Sequence, residues 1–140
     1  MSKPPPAEAP AVTPQLLRSW PLPSLGDDST KHDRGTVLVA GSADSTPGAV
    51  LLAGLAALRV GAGRLQVATV EATAVALGVT LPEAMVVGCT DLGAVLLGRS
   101  DAETTVVLGP GLLDVDDTHR LLQQVLPALT CRGLVLTRSR

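Results

Sequence analysis

The stretch Thr36-Val37-Leu38-Val39-Ala40-Gly41-Ser42-Ala43-Asp44-Ser45-Thr46-Pro47-Gly48-Ala49 changes character twice within fourteen residues. Thr36–Ala40 is a continuous apolar run, which fits a strand covered on both faces. Gly41-Ser42 breaks it. Thr46-Pro47 then reads as a helix start, with Thr46 as N-cap and proline in the first turn, where a missing N–H costs nothing. A strand running through a glycine turn into a helix is the elementary unit of a parallel α/β sheet.

The pattern repeats along the chain. Gly48–Val60 is apolar nearly all round with Arg59 its one charge, so a buried helix is expected, closed by Gly61-Ala62-Gly63. Leu65–Thr69 and Ala84–Val87 read as strands, Glu71–Leu77 and Asp91–Leu97 as helices. Thr104–Leu108 is a second fully apolar strand and runs into Gly109-Pro110-Gly111. A helix over about Asp116–Leu129 carries Leu121, Leu122, Val125, Leu126 and Leu129 on one face, with Pro127 expected to kink or shorten it. Gly133–Thr137 is the last strand. No repeat of fixed period is found. Strands that alternate with helices, each strand continuously apolar, predict a mainly parallel sheet with helices on both faces.

Seven of the eleven prolines fall at or before Pro23. Residues 1–30 therefore read as a proline-rich tail with an anchoring segment, Leu16, Leu17 and Trp20 being the expected anchors, and residues 31–140 as the folded part. Gly26–Lys31 reads as a polar turn.

Composition narrows the function. The chain is 46% hydrophobic and 17% charged, a globular balance. A net charge of −2 offers no basic footprint for nucleic acid, and one Trp without Phe or Tyr leaves no base-stacking platform. The opening residues lack an apolar signal segment and Ala49–Leu58 is too short to span a bilayer, so a cytoplasmic protein is expected. Cys89 and Cys131 form no C-x-x-C pair and read as reduced, buried, small hydrophobes.

Ligands of open α/β sheets bind beyond the carboxyl ends of the strands. Two exits are rich in glycine, Gly41–Ala49 and Gly109–Gly111, where the backbone approaches a ligand closely and a helix start offers N–H groups. Neither contains the lysine of a phosphate loop, and Gly61-Ala62-Gly63 follows a helix where a dinucleotide fingerprint would follow a strand. Asp114, Asp116 and Asp117 lack the rest of a calcium loop and read as acidic residues opening a helix. His32 and His119 stand alone and are expected exposed. Glu83 reads as a loop carboxylate. No metal site is assigned.

Taken in order, Thr13-Pro14, Leu17-Arg18, Trp20-Pro21-Leu22-Pro23, Arg34-Gly35, Val37–Ser42, Thr46–Ala49, Leu52-Ala53, Ala56–Arg59, Gly61–Gly63, Pro82–Ala84 and Leu108–Leu112 resemble the front half of the bacterial NAD(P)H-hydrate dehydratases. The resemblance runs from Thr13 to about Gly133, with Ala40 standing where many relatives have a second glycine. It implies a ribokinase-like fold, here truncated after about five strands. It also implies ADP- or ATP-dependent dehydration of NADHX and NADPHX to NADH and NADPH, with Mg2+, a homo-oligomer and a partner epimerase activity all compatible. By the same resemblance Gly41, Ser42, Pro47, Gly48, Ala49, Gly109 and Gly111 contact the hydrated nicotinamide nucleotide. In the family the last strand is followed by an Asp-Ala pair and a long nucleotide-binding and catalytic segment. Here Thr137-Arg138-Ser139-Arg140 stands in its place. No residue is therefore given the catalytic role, no nucleotide cofactor is assigned to residues of this chain, and an inactive fragment is expected. The alternatives are a non-catalytic nucleotide-binding remnant and a small-molecule kinase of the same superfold.

Overall fold

β1 (Thr36–Ala40) lies at the centre of a five-stranded sheet, and Leu38, Val39 and Ala40 within it are completely buried. The computed structural model describes residues 11–20, 29–41 and 43–137. Ser42, the first ten residues and the first half of the expected Gly26–Lys31 turn lie outside the described residues.

Along the chain β1 is followed by α2 (Pro47–Arg59), β2 (Arg64–Val70), α3 (Glu71–Thr80), β3 (Ala84–Cys89), α4 (Leu92–Arg99), β4 (Thr104–Leu108), α5 (Val115–Val125) and β5 (Gly133–Leu136), with α1 (Pro14–Arg18) ahead of them. The strand order is β3-β2-β1-β4-β5 and every pairing is parallel. Val39 stands opposite Val67 on one side and Val107 on the other. The expected α/β architecture is therefore the observed one, with β1 and β4 spanned over their predicted lengths and the other elements shifted by a few residues at their ends.

The period of two along each strand divides the core. Leu38 and Ala40 join Ala68, Val106 and Leu108 on the face covered by Leu96 of α4 and Val125 of α5. Val39 joins Leu65 and Val67 on the other face, under Val50 of α2 and against Leu81. Each fully buried Leu or Val stabilises the fold by roughly 1.5–3 kcal/mol relative to exposure. Because the core is built from Leu, Val and Ala, this layer carries most of the driving force.

Three local devices end the helices. α2 closes on a Schellman pair, Gly61 N–H to Leu58 O at 3.0 Å and Ala62 N–H to Ala57 O at 3.1 Å. Asp91 and Asp114 cap α4 and α5, accepting from the Ala94 N–H at 2.9 Å and the Asp117 N–H at 2.7 Å. α5 stops at Val125, four residues short of the expected Leu129, because Pro127 has no N–H for the ladder and its ring clashes with the preceding turn.

Two expectations need correction. α2 is not buried all round: Val50 and Gly54 are buried, while Leu52 is 69% exposed. One face packs on the sheet, and among the described residues nothing covers the opposite one. Leu17 and Trp20 do not anchor the amino-terminal segment either: Leu17 is 54% exposed on α1, which has no buried residue, and Trp20 is 64% exposed just beyond it. Five residues amount to little more than one turn, too short to present an apolar stripe.

Candidate functional site

In a sheet ordered β3-β2-β1-β4-β5, the chain leaves β1 for β2 on one side and later returns to β4 on the other. The carboxyl ends of β1 and β4 thus flank a topological switch point, where a crevice opens. A cavity of about 570 Å3 lies there, within the size range of small-molecule sites. Its lining comes from four strand exits: Gly41 and Ala43–Ser45 after β1, Thr69 and Val70 at β2, Cys89 and Thr90 at β3, and Leu112–Asp114 after β4. Leu92 of α4 and Asp117, Thr118 and Leu121 of α5 complete it.

The two glycine-rich exits are stitched together. The Gly41 N–H donates to Ala68 O at 3.1 Å and the Gly109 N–H to Ala40 O at 3.0 Å, extending the sheet by one rung on each side. Gly41 has no room for a side chain, since a Cβ there would lie 2.2 Å from Pro110 O. Gly109, at φ +114°, backs onto Thr137, whose carbonyl oxygen would lie 2.6 Å from an added Cβ. Three successive exits therefore touch backbone to backbone, an approach only glycine permits.

Thr46 is not the side-chain cap that its position suggests. Its hydroxyl makes no cap bond. It accepts from the Ala43 N–H at 3.1 Å and donates to Gly111 O at 2.8 Å, across the switch point.

Chemically the lining offers carboxylates (Asp44, Asp114, Asp117), hydroxyls (Ser45, Thr90, Thr118) and an apolar wall of Val70, Leu92 and Leu112, with no lysine or arginine. Asp117 forms an ion pair with Arg120, three residues along α5. Thr69 is fully buried and its hydroxyl pairs with that of Thr73 at 3.1 Å. Cys89 is free and half-buried, where full burial was expected, and its thiol donates to Thr69 O at 3.4 Å. Burial pushes this thiol above the ordinary cysteine range, and the charges of Asp91 and Glu71 push it the same way. It is therefore protonated near neutral pH and a poor nucleophile. The cavity is equipped for hydrogen bonding and apolar contact.

Of the residues singled out from sequence, Gly41 lines this cavity. Gly111 lies behind its wall as the acceptor of the Thr46 hydroxyl. Pro47 and Ala49 sit half-buried at the start of α2, next to an exposed Gly48. Gly109 is buried in the contact with Thr137. Glu83 is exposed ahead of the amino end of β3, away from the cavity, and His32 and His119 are exposed as expected. The β2 and β3 exits were missed. They carry no glycine–proline signature, but parallel strand direction alone brings Thr69 and Cys89 to the same end as Gly41. Among the described residues no group of His, Cys, Asp or Glu could hold a metal ion, and no helix is long and apolar enough to cross a membrane.

Residues 36–136, which hold all five strands and the cavity, match the family model for NAD(P)H-hydrate dehydratase. The chain belongs to the NAD(P)H-hydrate dehydratase family. It is 38% identical over 128 residues to the ADP-dependent (S)-NAD(P)H-hydrate dehydratase of Xanthomonas campestris, a match covering 86% of this chain and 44% of that protein. Among solved structures it resembles the ADP/ATP-dependent NAD(P)H-hydrate dehydratase of Bacillus subtilis, co-crystallized with ATP/Mg2+, with a TM-score of 0.64 and 34% identity over 82% of this chain and 41% of that one. A ribokinase-like superfamily protein of Enterococcus faecalis superposes with a TM-score of 0.65 at 27% identity, covering 79% and 39% of the two chains. The ribokinase-like fold expected from sequence is thus the fold of the chain, whose matches span about two-fifths of the length of these relatives.

Proposed function

We propose that this chain carries the substrate side of an NAD(P)H-hydrate repair domain, one that dehydrates NADHX and NADPHX at the expense of ADP or ATP. The observation that carries the reading is the cavity at the β1–β4 switch point, which lies inside the segment matched by the family. Gly41, Ser42, Pro47, Gly48, Ala49, Gly109 and Gly111 are the proposed contacts of the hydrated nicotinamide nucleotide. To them the cavity adds the hydroxyls of Ser45, Thr90 and Thr118.

A lining with carboxylates and hydroxyls but no basic residue suits the neutral, hydrogen-bonding nicotinamide and ribose end of the ligand. It does not fit a nucleotide polyphosphate, whose charge would face Asp44 and Asp114 with no cation opposite. We therefore assign no ADP or ATP contact and no catalytic residue here. Residues 31–140 act as the substrate-binding part of such a domain.

Titration calorimetry of the chain with NADPH and with NADPHX tests the binding. Saturable heat with either ligand is expected, and no heat with both would end the proposal. Fusing residues 11–137 to the remaining portion of the Bacillus subtilis relative tests the chemistry. The fusion should consume NADHX only when ADP or ATP is added, and a well-folded fusion without turnover would remove the dehydratase reading.

A further inference from the structure

Thr46 has the sequence context of a helix cap and the geometry of a clasp. Its one hydroxyl reaches Ala43 N–H at 3.1 Å within its own exit and Gly111 O at 2.8 Å in the other, 65 residues away. Both bonds are partly buried, so water does not replace them without cost. Directly beneath, the Gly41 backbone abuts Pro110. The contact is tight enough that a change in either exit must be felt by the other.

We propose that Thr46 is a positioning residue: it locks the β1 exit to the β4 exit and so sets the spacing between two walls of the cavity, Gly41 with Ala43–Ser45 and Leu112–Asp114. The inference rests on the reading of that cavity as the ligand site. A hydroxyl is required because the same atom must accept from one exit and donate to the other. Serine meets this requirement, and valine, of nearly the same shape, meets neither half of it.

The test compares the 140-residue chain with its Thr46→Ser and Thr46→Val variants by amide hydrogen exchange and by titration with NADPH. Thr46→Val should speed exchange about tenfold in both residues 41–49 and residues 109–113 while leaving residues 84–89 unchanged, and weaken NADPH binding about tenfold. Thr46→Ser should match the wild type in both readouts. Faster exchange in one exit only, a uniform rise across the chain, or no rise at all would overturn the lock. So would a Thr46→Val variant that loosens both exits and still binds NADPH like the wild type. If the wild type does not bind NADPH while Thr46→Val loosens both exits, the dehydratase reading fails and the coupling of the exits stands.

Discussion

β1 and β5 are parallel strands of one sheet with opposite circumstances. β1 is paired on both sides, and Leu38, Val39 and Ala40 have no accessible surface. Among the described residues β5 is paired with β4 alone, and Val135 and Leu136 are 50% and 52% exposed. The same apolar composition therefore performs two jobs. At the centre it fixes the exits that form the cavity; at the edge it leaves unpaired backbone groups and bare methyls, the features that template association.

The comparison is most easily broken at the exit of β1. Gly41→Val should destabilise the chain by about 4 kcal/mol or more, since its Cβ meets Pro110 backbone that has nowhere to retreat. A thermal midpoint within a few degrees of wild type, followed by far-UV circular dichroism, would show that the exits are not in contact. Next comes the core itself. Leu38→Ala should cost about 3 kcal/mol and Val135→Ala less than about 1 kcal/mol, because only the first opens a cavity. Urea denaturation of the two variants checks the ratio, and equal costs would erase the distinction between centre and edge.

How much of this was legible depended on whether a signal was local. Thr36–Ala40 and Thr104–Leu108 announce themselves, because a strand buried on both faces must be apolar at every position. Their exits were legible too, through the glycines that tight backbone approach demands. The β2 and β3 contributions to the cavity were not, because Thr69 and Cys89 owe their place to strand order, which no local pattern encodes. Thr46 does stand at the N-cap of α2 with Pro47 behind it, but where its hydroxyl goes was not legible, for a related reason. A threonine before proline is an N-cap by default, and its true acceptor, Gly111, lies far away in sequence. The open face of α2 escaped notice because a uniformly apolar helix does not reveal which of its sides has a neighbour.

At the edge the expected effect concerns association more than stability. Val135→Lys together with Leu136→Lys should shift sedimentation toward monomer at rising concentration and change the unfolding free energy by no more than about 1 kcal/mol. Unchanged sedimentation would mean that the edge does not drive association. The smallest effect belongs to the amino end of β4. Asp101 accepts from the Thr104 hydroxyl at 2.6 Å and the Glu103 N–H at 3.0 Å, and these bonds hold its carboxyl below the ordinary aspartate range. A depressed folded pKa gives stability that is present above the unfolded pKa and lost as pH falls through the folded one. Asp101→Asn should therefore lower the urea midpoint slightly near pH 7 and lose less than wild type on acidification to about pH 3. Parallel acid profiles for the two proteins would contradict this.

Trp20, exposed just beyond α1, is the only aromatic ring of the protein apart from its histidines. The sheet and its cavity are in consequence nearly silent in the near ultraviolet, and tryptophan emission reports on the amino-terminal segment alone. Unfolding has to be followed through backbone signals or heat. In return, the emission of NADPH added as a probe can be read against an almost dark protein, which makes titration by light as direct a test of the proposed binding as calorimetry.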